Sequence, residues 1–370
     1  MKTEWLRLIV SWATVLAFLT FGYGWLSDLS SGVKATALFL WLFGVIVWSS
    51  FGVVHEAEEL AELLGEPLGT LILTLSIVII EVALISAVML SGEAPTLGRD
   101  TMFAVLMIVL NGVVGLGLII GGLRHGEQSY NLQGAASYLA VLIPLTVIPL
   151  ILPNFTVSTA DGSVTVTQAI FFSLFTIVLY GLFLVLQTGR HRSFFVYPQL
   201  DEASNIAATE AVPPREAPSN RNVVRHTLLL LLNILPIVLL AKSLAVLLDH
   251  GIAVLGAPVA LGGLLIAGVV FTPEAITALR AVTNNELQRA INLCLGAATS
   301  TVGLTVPAIL AISLLADRTA ILGLSPSEMI LLAVTLILST LTFSGSRTTV
   351  LEGAVHLVVF FVYILLIFSP

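Results

Sequence analysis

Charge is scarce in this sequence. Asp, Glu, Lys and Arg make up 10% of it, against about 25% in an ordinary soluble domain. A chain that is 57% hydrophobic would leave far too much apolar surface in water, so a soluble globular fold is excluded and a bilayer is the fitting solvent. Charge of one strong sign is missing too. The net charge of −7 is mild and carries no basic footprint for nucleic acid. Cysteine is nearly absent. Cys294 stands alone in an apolar stretch, which rules out an intramolecular disulfide and leaves the redox compartment open. Paired catalytic groups are lacking as well. His55-Glu56-Ala57-Glu58-Glu59-Leu60-Ala61-Glu62 has no second histidine at H-E-x-x-H spacing, so zinc-protease chemistry lacks a ligand. Ser86 and Ser300 have no histidine within a span core to activate them, and no Asp–Asp pair appears. An intramembrane enzyme needs such a pair or a ligand cluster at one depth. No cofactor is expected.

Long apolar runs are what the chain does have. A spanning helix takes about 20 mostly apolar residues, and eleven segments qualify: 6–26, 33–54, 67–91, 100–122, 134–153, 166–187, 227–248, 256–281, 288–316, 326–343 and 349–369. They are too long and too uniformly apolar for barrel strands, the other structure that can span lipid. The first run resembles a signal peptide in its Lys2 and Arg7, but it has full spanning length and no small-residue cleavage site, so it is read as an uncleaved span. The expected fold is an all-α polytopic membrane protein with about eleven transmembrane helices.

Basic residues orient the spans. With the N-terminus in the cytoplasm, the inner side collects Lys2, Arg7, Arg124, Arg190, Arg192, Arg215, Arg221, Arg225, Arg280, Arg289 and Arg347, and the outer side only Lys34, Arg99, Lys242 and Arg318. The positive-inside rule therefore places the N-terminus in the cytoplasm and the C-terminus in the periplasm of a cell inner membrane. One polar break interrupts the apolar pattern. Residues 188–222 hold Pro198, Pro213, Pro214 and Pro218 among Asp201, Glu202, Glu210 and Glu216, the composition of a cytoplasmic linker.

The two sides of that break repeat one plan. Gly65-Glu66-Pro67-Leu68 opens the third span and Gly256-Ala257-Pro258-Val259 opens the eighth. Each leads into an apolar helix with a glutamate in its body, Glu81 and Glu274. A polar connection with an arginine follows, Arg99 or Arg289. Then comes a helix rich in small residues, with Asn111 or Ser300 at its midpoint. Five spans separate the copies, so they would enter the membrane from opposite sides. That is the inverted-topology repeat of many secondary transporters, whose substrate site lies where the repeats meet. The expected organisation is an N-terminal helix (1–32), a five-helix repeat (33–187), the linker (188–222) and a second five-helix repeat (223–370).

The two glutamates carry the chemistry. Glu81 lies about 21 Å along the helix from Pro67, and Glu274 about 24 Å from Pro258, at 1.5 Å per residue. A charge at such depth costs at least about 2.5–3.5 kcal/mol. Thr70, Thr74 and Glu81 share one stripe, while Gly263, Ala267 and Val270 form a small-residue stripe beside Glu274 that allows close approach of helix or ion. Pro273 frees a carbonyl one turn back. Two carboxylates meeting from opposite sides make a hard-oxygen site of charge −2, and Asn111, carbonyls and water could complete the six to eight oxygens that Ca²⁺ accepts. Without metal, burial and repulsion favour proton uptake. Metal and protons then compete for the same oxygens, and that competition couples their flows. A channel, by contrast, would pass ions without proton coupling. The His55–Glu62 segment is expected as a surface amphipathic helix, or as a cation-attracting vestibule or regulatory site, and Glu352, near His356, as an interfacial residue or part of an accessory proton path.

Several stretches resemble the Ca²⁺/cation–proton exchangers, specifically the bacterial ChaA-type antiporters. They are Gly65-Glu66-Pro67, Leu75-Ser76-Ile77-Val78-Ile79-Ile80-Glu81-Val82, Thr272-Pro273-Glu274, Ala281-Val282-Thr283-Asn284-Asn285, Gly296-Ala297-Ala298-Thr299 and Leu304-Thr305-Val306-Pro307. Phe194-Phe195-Val196-Tyr197 and Arg347-Thr348-Thr349-Val350-Leu351 belong with them. The resemblance implies one extra N-terminal helix plus two inverted five-helix halves, with Glu81 and Glu274 as the ion- and proton-binding acids. It implies that Thr74, Asn111, Thr272, Thr299 and Ser300 lie along the ion and proton pathway. The wider family has Ser and Gln where Ala297 and Ser300 stand here, and Gly-Ser where Leu106-Met107 stands. The partners implied are inorganic cations and protons: Ca²⁺ first, Na⁺ or K⁺ as the monovalent alternative. Oligomeric state is left open.

Overall fold

The computed structural model describes residues 2–65, 68–91, 95–159, 161–195, 220–345 and 347–369. Within them the chain forms eleven apolar helices: α1 Lys2–Leu26, α2 Gly32–Leu64, α3 Leu68–Ser91, α4 Leu97–His125, α5 Leu132–Leu150, α6 Val166–Thr188, α7 Asn220–Leu255, α8 Ala260–Thr283, α9 Leu287–Leu315, α10 Pro326–Thr342 and α11 Val350–Phe368. Ten are long and apolar enough to cross a membrane, and α10, at 17 residues, is the short one. The protein is therefore an all-α, multi-pass membrane protein. Its outer faces stay apolar: Ile170, Phe171 and Leu174 on α6 and Val358, Phe361 and Leu365 on α11 are exposed. A surface of that kind suits lipid and not water.

Punctuation residues set the helix ends. α6, α10 and α11 each begin with a hydroxyl cap, at Thr165, Ser325 and Thr349, answered three residues later by Gln168, Glu328 and Glu352. These reciprocal bonds satisfy amide groups that a helix start leaves free. Gly65 and Gly256 precede the two glutamate-bearing helices, and both adopt positive φ, 68° and 60°. A side chain resists that backbone conformation, so glycine suits both corners. Glu66 and Pro67 of the first corner lie outside the described residues.

Several elements differ from the sequence expectation. α2 runs ten residues past 54, because His55–Glu62 continues the helix instead of forming a separate surface one. Its polar side chains are tolerated because Glu56 is buried against His226, with Oε2 2.8 Å from Nδ1. α7 begins at Asn220, so residues 220–222 are helical and not linker. Linker residues 196–219, with all four of its prolines, lie outside the described residues. α4 is interrupted at Met107–Val113 by a π-helical turn, a local widening that is frequent at functional sites.

α4 and α9 form the centre. α9 packs on α3, α4, α5, α6 and α8, while α4 packs on α8 and α11. At both centres glycine lets a partner come close. A methyl at Gly303 would press on Tyr180 of α6, and one at Gly115 would press on Gly353 and His356 of α11. Two short backbone pairings tie the loops. Gln128 and Ser129, after α4, pair antiparallel with Thr348 and Arg347, before α11. Ser163, before α6, bridges Ile321, after α9.

Candidate ion-binding site

α3 carries Glu81 into the fully buried interior. Its Oε2 accepts a 3.1 Å hydrogen bond from the Thr301 hydroxyl on α9, while Oε1 has no hydrogen-bond partner. Thr305, one turn along α9, is also fully buried; its unpartnered hydroxyl lies toward the same carboxylate. The Oε1 side of the carboxylate is thus left with bonding capacity to spare. In a dry interior that is costly.

α8 carries Glu274 directly after Pro273. The residue is 7% exposed, and neither carboxylate oxygen has a hydrogen-bond partner. Pro273 has no N–H to give to the turn before it, so a carbonyl is freed near the acid. On one side Glu274 lines a cavity of about 370 Å³. On the other it meets a small void against the π turn, with Val109, Val113 and Phe271. Deep in the large cavity sit Thr74 and Ser300. Its outer part is lined by Glu58 at the end of α2, Gln187 and Thr188 at the end of α6, Arg192, and Arg289 and Asn292 at the start of α9. All of these belong to helix ends on the side where the chain leaves α6 for the linker, so the cavity opens there.

The predicted residues divide into three groups. The cavity brings together Glu274, Thr74 and Ser300. Glu81 is walled off from that cavity but touches the residue after Ser300, so one turn of α9 serves both acids. Asn111, Thr272 and Thr299 are committed elsewhere. The Asn111 amide donates 2.8 Å to Thr335 Oγ1, and its oxygen faces His356 Nδ1 at 3.0 Å. Thr299 donates to the Leu295 carbonyl and Thr272 to that of Gly268, each within its own helix. Thr70's side chain lies outside the described residues. The stripe of Gly263, Ala267 and Val270 is buried, and a methyl at Gly263 would sit 2.8 Å from the Asp100 backbone. Small residues here let α8 close on α4. His356 is fully buried, its Nε2 3.0 Å from Thr342 Oγ1, whereas Glu352 caps α11 through the Thr349 amide. No group of three or more His, Cys, Asp or Glu side chains capable of holding a metal occurs among the described residues. A cation here would rest on two acids completed by hydroxyls, carbonyls and water.

A family model for sodium/calcium exchanger proteins matches residues 34–189 and 225–369, nearly the whole chain apart from the first helix and the linker. The chain belongs to the sodium/calcium exchanger family. Members of this family are secondary transporters and not enzymes. The exchanger is 42% identical over 339 residues to the y4hA ionic-transporter candidate of Sinorhizobium fredii, covering 91% of this chain and 90% of that one. It is 38% identical over 346 residues to the sodium-potassium/proton antiporter ChaA of Escherichia coli, covering 93% and 92%. Among solved structures it superposes on native YfkE with a TM-score of 0.73 at 17% identity, over 98% of this chain and all of that one. At that identity the likeness concerns the fold.

Sequence reasoning missed Thr301, Thr305 and Tyr180, whereas Glu58 falls in the segment expected as a possible vestibule. A signal existed for the first two: Thr301 and Thr305 are four apart on one apolar helix, a polar stripe in itself. Tyr180, whose hydroxyl neighbours Thr74, gave none, since a tyrosine in an apolar span is ordinarily read as packing.

Proposed function

We propose that this exchanger carries Ca²⁺ out of the cell across the inner membrane in return for protons, with metal and protons competing for Glu81 and Glu274. Cation–proton exchange is the chemistry named for two of its relatives, the sodium-potassium/proton antiporter and a Ca²⁺/H⁺ antiporter of Aphanothece halophytica that is 22% identical over 322 residues. The observation that carries the reading is Glu274: a buried carboxylate without a partner, at the inner end of an open cavity. Such a group needs a counter-ion or a proton, and the cavity admits either. Two carboxylates with neutral oxygens around them suit a divalent hard cation. Na⁺ or K⁺ is the second reading, favoured by the printed name of the 38% identical relative.

The fold supports alternating access by two inverted halves, α2–α6 and α7–α11. Exchanging these halves turns the pairing of the α4–α5 and α10–α11 loops into that of the α9–α10 and α5–α6 loops, and both pairings occur. It also turns the α9–α6 contact into the α4–α11 contact, and Gly65 into Gly256. With the N-terminus in the cytoplasm, the cavity faces inward and the inward proton gradient drives cation export. Everted vesicles, whose cytoplasmic face is outermost, should show proton movement when Ca²⁺ is added, and the apparent KM for the cation should rise as external pH falls. Offering Ca²⁺, Na⁺ and K⁺ in turn identifies the cargo. Proton movement with none of them would overturn the reading.

A further inference from the structure

Near the end of α2, two of its four acids, Glu56 and Glu58, stand two residues apart, about 200° around the helix at 3.6 residues per turn. Glu56 points inward to His226 of α7 and lies near Arg7 of α1. Glu58 points the other way, into the large cavity. It is half-buried and has no hydrogen-bond or ion-pair partner among the described residues. The charged groups around it are Arg289 of α9 and, on its own helix, His55, Glu59 and Glu62. Deeper in the same cavity lies Glu274, close enough for the two charges to interact. Arg192 and Arg289 also line this cavity.

We infer that Glu58 is a third carboxylate on the ion path, an outer station that captures the cation from the cytoplasmic side and passes it inward to Glu274. The inference rests on the proposed role of Glu274. Two guanidinium groups near the opening oppose the entry of a cation; Glu286 pairs with Arg289 at 3.3 Å, and among the described residues Glu58 is the acid besides Glu274 that lines the cavity itself. Glu58 lowers that barrier, and Arg289 tempers it so that the cation is not held there. A carboxylate placed before a buried site raises local cation concentration and the rate of arrival. It adds little to tight binding, since its surroundings remain hydrated.

The experiment is initial-rate exchange in everted vesicles with Ca²⁺, Na⁺ and K⁺ as probes. Glu58→Gln should raise the KM of the transported cation about 5-fold, the effect of one charge removed several ångströms away in partly hydrated surroundings, with kcat little changed. Glu58→Asp should return KM most of the way to the wild-type value. Arg289→Gln should move KM the opposite way, which damage to folding would not do. An unchanged KM in Glu58→Gln, or shifts of one sign in Glu58→Gln and Arg289→Gln, would overturn the inference. Glu274→Gln separates the two levels. If it transports normally, the reading of the main site fails; if it is inactive while Glu58→Gln behaves as wild type, only the outer station fails.

Discussion

Glu81 and Glu274 occupy matching places in α3 and α8, yet their surroundings differ. Glu81 is sealed and holds a hydroxyl from α9; Glu274 has no partner and borders an open cavity. Packing differs in the same sense, with α3 against α2 and α7 in one half and α8 against α4 and α9 in the other. In a symmetric protein such a difference would have no cause. In an alternating-access transporter it is required, because the site can open to only one side at a time. With the N-terminus in the cytoplasm, as proposed above, the structure corresponds to the cytoplasm-facing state, and in the opposite state the two acids should exchange their surroundings.

The largest expected effect comes from removing either acid. Glu81→Gln and Glu274→Gln should each abolish exchange while the protein still inserts, measured as cation-driven proton flux in vesicles and membrane-fraction yield. If only one substitution abolished flux, the two acids would not be equivalent. A labelling experiment sharpens the asymmetry. In a Cys294→Ala background, Ser300→Cys should react with a membrane-impermeant thiol reagent from the cytoplasmic face, and Thr301→Cys, one residue on, should react far more slowly. Thr301→Val should cost a smaller amount, about 1.5–3 kcal/mol for one hydrogen bond to a charged group and so roughly 10-fold or more in apparent cation affinity. Glu274 has no such donor to lose.

Away from the two acids, Gly52→Ala should cost about 1–3 kcal/mol of stability by overpacking, read as a lowered melting temperature in detergent. A methyl there would overlap Arg7 of α1 and Asn233 of α7. The effect should fall on stability more than on transport, because that cluster lies outside the cavity.

Much of this was legible in the sequence, for one physical reason. In a chain with so little charge, an acid inside an apolar run stands out, and Glu81 and Glu274 were read as the site acids on that ground; their burial is what the structure adds. The eleven spans followed from the same contrast, as did the glycine corners at 65 and 256. Legibility failed where a partner came from a distant helix. Asn111 was assigned to the ion site from its midpoint position, but its bonds go to Thr335 and His356, more than 220 residues away in sequence. The end of α2 was misread because His55–Glu62 looks like a surface segment, and the burial of Glu56 depends on His226. The π turn left no mark, since apolar Met107–Val113 fits either helix type equally well.

The central claim, that cation and proton occupy the same two carboxylates in alternation, is tested most directly by calorimetric titration of the purified protein in buffers of differing ionisation enthalpy. The expected result is that cation binding releases protons, and that Glu274→Gln and Glu81→Gln lose both the binding and the release. Cation binding at full strength with no proton release, or unaltered binding in either variant, would contradict it.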